Sequence, residues 1–281
     1  MVKQDTGKYR ENIKDQFYTK ESVAKKCIDT IIKKCPYTKR YLWIEPSAGN
    51  GSFLHNVPKH FDKIGVDLYP AANDIHKANF LKWKPPSTDQ NIILFGNPPF
   101  GRQSSLAKAF IAKGCQFADI IAFILPKSFL KPSMSRIFDK KFHCIYSVEL
   151  DKNSFLINES IPYDVPCVFQ IWEKSTLDRK TIKPVHEKGF QYVKSSDKYD
   201  LVFRRIGGRA GQSYKKNKHK SFNPQSHYFI KLDTPYVKHI DTIVKKINSH
   251  VFPSNTVGPR SLSKPETNIV INRILSKLAA S

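Results

Sequence analysis

Long apolar runs are missing from this 281-residue chain. Stretches such as IIAFIL at 120 to 125 fall far short of the roughly 20 residues that a membrane-spanning helix needs, so no transmembrane segment is expected. The first residues, MVKQDTGKYR, lack the apolar core of a secretory signal. That argues against export and for the cytoplasm of a bacterium or of a virus-infected host cell. Cysteine is scarce and scattered: Cys27, Cys35, Cys115, Cys144 and Cys167 are odd in number and show neither paired spacing nor a Cys/His metal pattern. They read as reduced thiols, with no disulfide framework and no metal centre expected. Acidic residues are also few, 24 against 47 Lys and Arg, leaving a formal charge of +23. A surplus of this size signals a polyanionic partner. It is uneven, because the 108 residues from Lys174 onward hold 22 basic and 7 acidic side chains. A merely Lys-rich composition is the bland alternative, and a membrane-surface reading lacks the long basic amphipathic helix it requires.

What is present suffices for a folded core. Hydrophobic residues make up 40% and aromatics 12%, which excludes a disordered chain. KESVAKKCIDTIIKK at 20 to 34 places Val23, Cys27, Ile28, Ile31 and Ile32 on one helical stripe, with Thr19 available as its cap. Short apolar runs follow at 41 to 44, 63 to 70, 91 to 96 and 119 to 126, each entering a polar loop as buried parallel strands do. SSLAKAFIAKGCQFA has helical spacing between the last two. CIYSVEL at 144 to 150 and VPCVFQIW at 165 to 172 can close the sheet as a hairpin across a loop holding Asn153 and Asn158, which requires one antiparallel strand. The pattern predicts an α/β layer fold with a boundary near 174 to 180, followed by short mixed segments.

Two loops carry the chemistry. EPSAGNGSF at 45 to 53 leaves a buried strand, and its Gly49 and Gly51 let backbone approach a ligand closely. Asp67 ends the next strand, where a carboxylate can accept both hydroxyls of a ribose. That pairing suggests a nucleoside-containing cofactor across the strand ends. The GxGxxG and GxxxxGK[ST] patterns are absent, which disfavours NAD and ATP cradles. Asn97-Pro98-Pro99-Phe100 follows the third apolar run. Its prolines fix the backbone and remove two N–H donors, so the segment is rigid and rich in acceptors. An amino group held by the Asn97 side-chain oxygen and the Pro98 carbonyl gives up both hydrogens and frees its lone pair, while a planar base or amide can stack on Phe100.

DQFYT at 15 to 19, EPSAGNGSF, Val66-Asp67, NFL at 79 to 81 and NPPF together resemble the successive motifs of S-adenosylmethionine-dependent N6-adenine DNA methyltransferases. The resemblance covers residues 15 to about 173. It implies a Rossmann-like class I methyltransferase sheet with a C-terminal antiparallel strand in a catalytic domain at 1–175, and a basic target-recognition region at 176–281. On the matching positions, Phe17, Tyr18 and Thr19 would lie near the methionine end of the cofactor. Glu45, Ser47, Ala48, Gly49 and Gly51 would form its loop, and Asp67 would hold the ribose. Asn79 and Phe80 would meet its adenine, Asn79 standing where many relatives have Asp. Asn97, Pro98, Pro99 and Phe100 would hold the target amine. The implied reaction moves the sulfonium methyl to the exocyclic nitrogen of a flipped adenine, with no metal and no obligatory general base.

Arg102 and Lys127, just past two strands, and Arg204, Arg205 and Arg209 in RRIGGRAG are the candidate nucleic-acid contacts. YKKNKHK at 214 to 220 extends that charge, GPRSLSKPE at 258 to 266 reads as a turn returning basic groups to the cleft, and His219 and His227 read as incidental. The expected partner is DNA, with a restriction endonuclease acting on the same site if the chain serves a restriction system rather than a virus or mobile element. RNA adenine, a protein glutamine amide and a non-catalytic nucleic-acid-binding subunit are the competing readings.

Overall fold

The computed structural model describes residues 18–157, 160–180, 183–216, 221–256 and 258–279. It divides into two compact units, residues 1–180 and 181–281. Phe17, Asn158, Lys218, His219 and Lys220 lie outside the described residues. Among the described residues, no helix is long and apolar enough to cross a membrane.

The first unit is built on seven strands: β1 (Leu42–Glu45), β2 (Lys63–Asp67), β3 (Ile75–Lys77), β4 (Ile92–Gly96), β5 (Ile120–Pro126), β6 (Phe142–Glu149) and β7 (Cys167–Lys174). They are ordered β3-β2-β1-β4-β5-β7-β6. β1 to β5 run parallel, and β7 inserts antiparallel between β5 and β6. This is the Rossmann-like mixed α/β sheet that the apolar runs and the closing hairpin predict. Every residue of β1, β4 and β5 is buried, which explains why those strands read as continuous apolar runs rather than alternating ones. Trp43 anchors the centre, fully buried between Phe61 and Phe95.

Helix α1 (Glu21–Lys34) buries Ala24, Cys27, Ile28 and Ile31, a stripe repeating at three and four residues. The spacing predicts a Thr19 cap, but Lys20 occupies the N-cap and no side chain caps the helix. Thr19 instead belongs to a two-residue strand, Tyr18–Thr19, paired with Phe155–Ile157, which pairs in turn with Ile161–Tyr163. The chain winds from β1 outward to β3, then returns to place β4 on the other side of β1. The crevice at the carboxyl ends of β1 and β4 is therefore the topological switch point where doubly wound sheets bind ligands.

Arg179 closes the unit. Its guanidinium lies 5.3 Å from the centre of the Trp172 ring, whose other neighbour is Phe138, stacked at 3.9 Å. It donates to the carbonyls of Ser135 (2.8 Å), Asp139 (3.1 Å), Phe138 (3.3 Å) and Phe142. One side chain thus satisfies four acceptors of the loop that leads into β6.

The second unit carries β8 (Phe190–Val193), β9 (Leu201–Arg204), β10 (Ser213–Lys215) and β11 (His227–Leu232) in the order β8-β11-β9-β10, all antiparallel. Helices α3 (Ile240–Asn248) and α4 (Lys264–Ala279) pack Ile243, Ile247, Ile271 and Leu275 against Leu201, Phe203, Ile230 and Leu232. Of GPRSLSKPE, residues 258 to 263 run through bends and a bridge from Ser261 to Ile206 into the start of α4 at Lys264. Ser263 and Glu266 form a capping box, with the Ser263 N–H donating to Glu266 Oε2 at 2.8 Å and the Glu266 N–H reaching Ser263 Oγ at 3.5 Å.

Replacing Arg179 by alanine leaves four carbonyls without their donor and is expected to cost about 2–3 kcal/mol of unfolding free energy. Urea unfolding measures it, and a loss under about 0.5 kcal/mol would refute the anchoring role.

Candidate active site

Glu45 is the last residue of β1 and only 2% exposed. Its Oε2 accepts the Leu54 N–H at 2.8 Å. Burial raises its pKa well above the ordinary carboxylate range, the Leu54 N–H opposes that rise, and the negative charge of Asp67 adds to it. Gly96, at the end of β4, has φ 119°, and a Cβ there would lie 3.1 Å from Glu45 Cγ and 3.2 Å from Oε1. Both the backbone angle and the space require glycine immediately before Asn97.

Asp67, at the end of β2, accepts the Gly49 N–H at 2.8 Å through Oδ2 and the Tyr69 N–H at 2.7 Å through Oδ1. The carboxylate is thereby fixed at the mouth of the loop while each oxygen keeps a further acceptor position. The Tyr18 ring lies against Gly49, where an added Cβ would sit 3.5 Å from its Cε1.

The proline motif joins the same place. Ser47 Oγ donates to the Asn97 carbonyl at 3.1 Å, and Asn97 Nδ2 donates to Thr19 Oγ1 at 3.2 Å. Gln103 and Ser104 follow at φ 53° and 60°, uncommon for non-glycine residues, so the chain leaves the motif through a tight turn into α2 (Ser105–Gly114).

These residues enclose one cavity of about 460 Å³. Tyr18, Thr19, Glu45, Ser47, Ala48, Gly49, Asp67, Asn79, Phe80, Asn97, Pro98, Pro99 and Phe100 all line it. Gly51 does not; a Cβ on it would fall 2.3 Å from the His55 ring, so its glycine serves the turn rather than the cavity wall. Asn79 Oδ1 accepts the Leu81 N–H at 3.0 Å, an Asx turn that orients the side chain. Phe80 packs on Phe110, ring centres 5.0 Å apart. The motif reading missed Leu68, Tyr69, Leu106 and Phe110 among the lining residues. Tyr69 is 66% exposed, and an apolar pair directly after the strand-terminal Asp67 was the available signal. Among the described lining residues none is Lys, Arg or His, although the whole chain carries +23.

The five basic candidates are placed elsewhere. Arg102 is exposed in the turn after the proline motif. Lys127 is paired with Glu149 at 2.7 Å, so its charge is matched within the fold. In the second unit, Arg204 Nε donates to the Ile206 carbonyl at 3.2 Å. Arg205 donates to the Gln225 carbonyl at 3.0 Å with its guanidinium 5.2 Å from the Tyr228 ring centre, and Arg209 is exposed. His227 is buried, Nδ1 lying 3.0 Å from the Asn223 carbonyl and 3.0 Å from Ser226 Oγ, as a structural histidine does.

No protein-family model matches the chain, and no curated protein does. Solved structures similar to it include a Pyrococcus horikoshii protein named as an RNA methyltransferase, 14% identical over 57% of this chain and 87% of that one, TM-score 0.44. The modification subunit of a type I restriction enzyme from Vibrio vulnificus is 14% identical over 89% of this chain and 56% of its own, TM-score 0.43. A type I restriction-modification methyltransferase subunit from Streptococcus thermophilus is 14% identical over 92% and 57%, TM-score 0.42. None of these likenesses decides chemistry or partner, and the fold rests on the strand order itself.

Asp67→Ala strips two backbone N–H groups of their acceptor. It is expected to lower stability by about 1–3 kcal/mol with no ligand present. Chemical denaturation of the ligand-free chain tests this, and an unchanged midpoint would show that Asp67 does not hold the loop.

Proposed function

We propose that the chain is an S-adenosylmethionine-dependent methyltransferase acting on the exocyclic amine of adenine in DNA. The observation that carries this reading is a cavity whose described lining holds two carboxylates and no cationic side chain, onto which the Asn97-Pro98-Pro99-Phe100 acceptor segment opens. A buried carboxylate of raised pKa, set in a strongly basic protein, fits a ligand that brings its own positive charge. Asp67, with both oxygens fixed by backbone N–H groups, fits a ribose diol.

When bound, S-adenosylmethionine supplies an electrophilic methyl group on a sulfonium. The protein's part is positioning. Glu45 and Asp67 hold the charged and the sugar portions, with Tyr18, Asn79 and Phe80 lining the rest of the wall. Asn97 Oδ1 and the Pro98 carbonyl accept the two hydrogens of the target amine, leaving its lone pair to point at the incoming carbon. Thr19 holds the Asn97 amide by its nitrogen, and Ser47 holds the Asn97 carbonyl, so the cofactor loop and the acceptor segment are tied by a direct hydrogen bond. Reaching an adenine amine inside a duplex requires base flipping. The basic second unit, residues 181–281, is the target-recognition element in this reading. A restriction endonuclease of the same specificity is the partner it implies.

Incubation of the chain with methyl-labelled cofactor and, in parallel, duplex DNA, structured RNA and cell protein tests the assignment. N6-methyladenine in DNA is the expected product, and label in RNA or on glutamine would overturn the substrate. Asn97→Ala is expected to abolish transfer while cofactor affinity is largely kept; near-normal turnover in that variant would refute the acceptor mechanism.

Glu45 makes cofactor binding pH-dependent. A cationic ligand favours the ionised carboxylate, so binding releases a proton wherever free Glu45 is protonated. Affinity should therefore rise as pH climbs from the ordinary carboxylate range toward the raised value, by up to about one log unit per pH unit, and level off above it. Calorimetric titration with S-adenosylmethionine over a range of pH tests this. Glu45→Gln should flatten it, and an equal slope in that variant would assign the proton elsewhere.

A further inference from the structure

The second unit has a face that the catalytic reading leaves unused. Helices α3 and α4 cover one side of its sheet. Side chains alternate along strands, so the opposite side carries Val193, Phe229, Val202 and Tyr214, which the strand register sets in one row. Tyr199 lies on Phe229 at 5.0 Å between ring centres, and Phe222 stacks on Tyr214 at 5.7 Å.

Cations border this row. Lys216 Nζ sits 4.9 Å from the Tyr199 ring centre. Lys231, two residues from Phe229 on the same strand face, is exposed, and so is Lys198 beside Tyr199. Two carboxylates stand near these lysines: Asp197, which accepts the Lys194 N–H at 3.0 Å, and Asp200, which accepts the Leu232 N–H at 2.8 Å. On the helical side, by contrast, Lys215 is matched by an ion pair with Asp241. Residues 181 to 281 hold 19 basic and 6 acidic side chains, so the surplus needs a polyanion to complement it.

We infer that the exposed lysines bordering this row, whose Val202, Phe229 and Phe222 side chains are themselves buried, form the docking surface for the phosphate backbone of the DNA substrate. The inference rests on the DNA-methyltransferase reading. The Tyr199 ring holds Lys216, which lowers the cost of ordering that lysine on a phosphate. It moves the contact away from Arg204 and Arg205, whose guanidinium groups are engaged by carbonyls of their own unit.

The test uses the full chain and fluorescence anisotropy with a labelled mixed-sequence duplex over a range of salt concentrations. The triple variant Lys198→Ala/Lys216→Ala/Lys231→Ala should weaken binding roughly tenfold or more at low salt and reduce the slope of log affinity against log salt by about 3. The control Lys245→Ala/Lys246→Ala/Lys277→Ala removes three exposed lysines from α3 and α4 and should stay close to wild type. Equal losses in the two triples would overturn the surface, as would a wild-type chain that binds RNA through these lysines and duplex DNA not at all. Lysine-dependent duplex binding without N6-methyladenine in the product would uphold the surface and remove the methylation reading.

Discussion

A carboxylate that has left water must find compensation, and Glu45 finds only part of it. One backbone N–H, from Leu54, contacts a group that is otherwise enclosed, whereas burying a full negative charge costs several kcal/mol even after relaxation. One hydrogen bond is too small to offset that, so the neutral form gains and the pKa rises. The surrounding backbone is arranged about this group. The loop after β1 must turn back to bring the Leu54 N–H to it, and β4 must end in glycine because a side chain at position 96 would collide with it. Asn97 follows directly, so the start of the acceptor segment is set by the same constraint. Electrostatic cost and loop geometry are two consequences of a single burial.

The fold was largely legible because its strands are buried on both sides, which writes them into the chain as dense apolar runs. β1, β4, β5 and β7 are visible for that reason, and β2, of which only Gly65 and Val66 are buried, through its apolar Ile64 and Val66 before Asp67. β3 was not: three residues with two exposed carry no periodicity to detect. The second unit was read as irregular although its signals exist. Ile240, Ile243, Val244 and Ile247 repeat at helical spacing, and HYFIKL alternates, but each element is short and bordered by glycine, proline and lysine. Tertiary packing of four strands on two helices supplies what the local pattern lacks.

The cavity was legible because rare residue combinations mark it. Two prolines after an asparagine, and a carboxylate ending the adjacent strand, constrain the backbone in ways few other purposes need. Residues that contribute only area, such as Leu106 and Phe110, carry no such mark, since an apolar helix face reads as ordinary core. Gly51 shows the converse. Its position in a glycine-rich loop suggests ligand contact, while the space it clears is taken by His55 from the same loop. Thr19 differs again: the same hydroxyl that suits a helix cap serves the Asn97 amide, a contact 78 residues away in sequence that no local rule can supply.

Charge ties the two units to one logic without requiring contact between them. The chain carries a large positive surplus, yet the described cavity lining holds two acids and no base. The segregation has a physical use, since a cationic small ligand is repelled by the protein at long range and needs a local field of the opposite sign to settle. Exposed charges beyond a Debye length of about 10 Å are screened, whereas the buried Glu45 is not. The exposed lysines are therefore free to attract a polyanion through a field that salt attenuates, while the attraction between an enclosed carboxylate and a cationic ligand is attenuated far less. Binding of the two substrates should then respond unequally to salt: steeply for the polyanion and weakly for the cofactor.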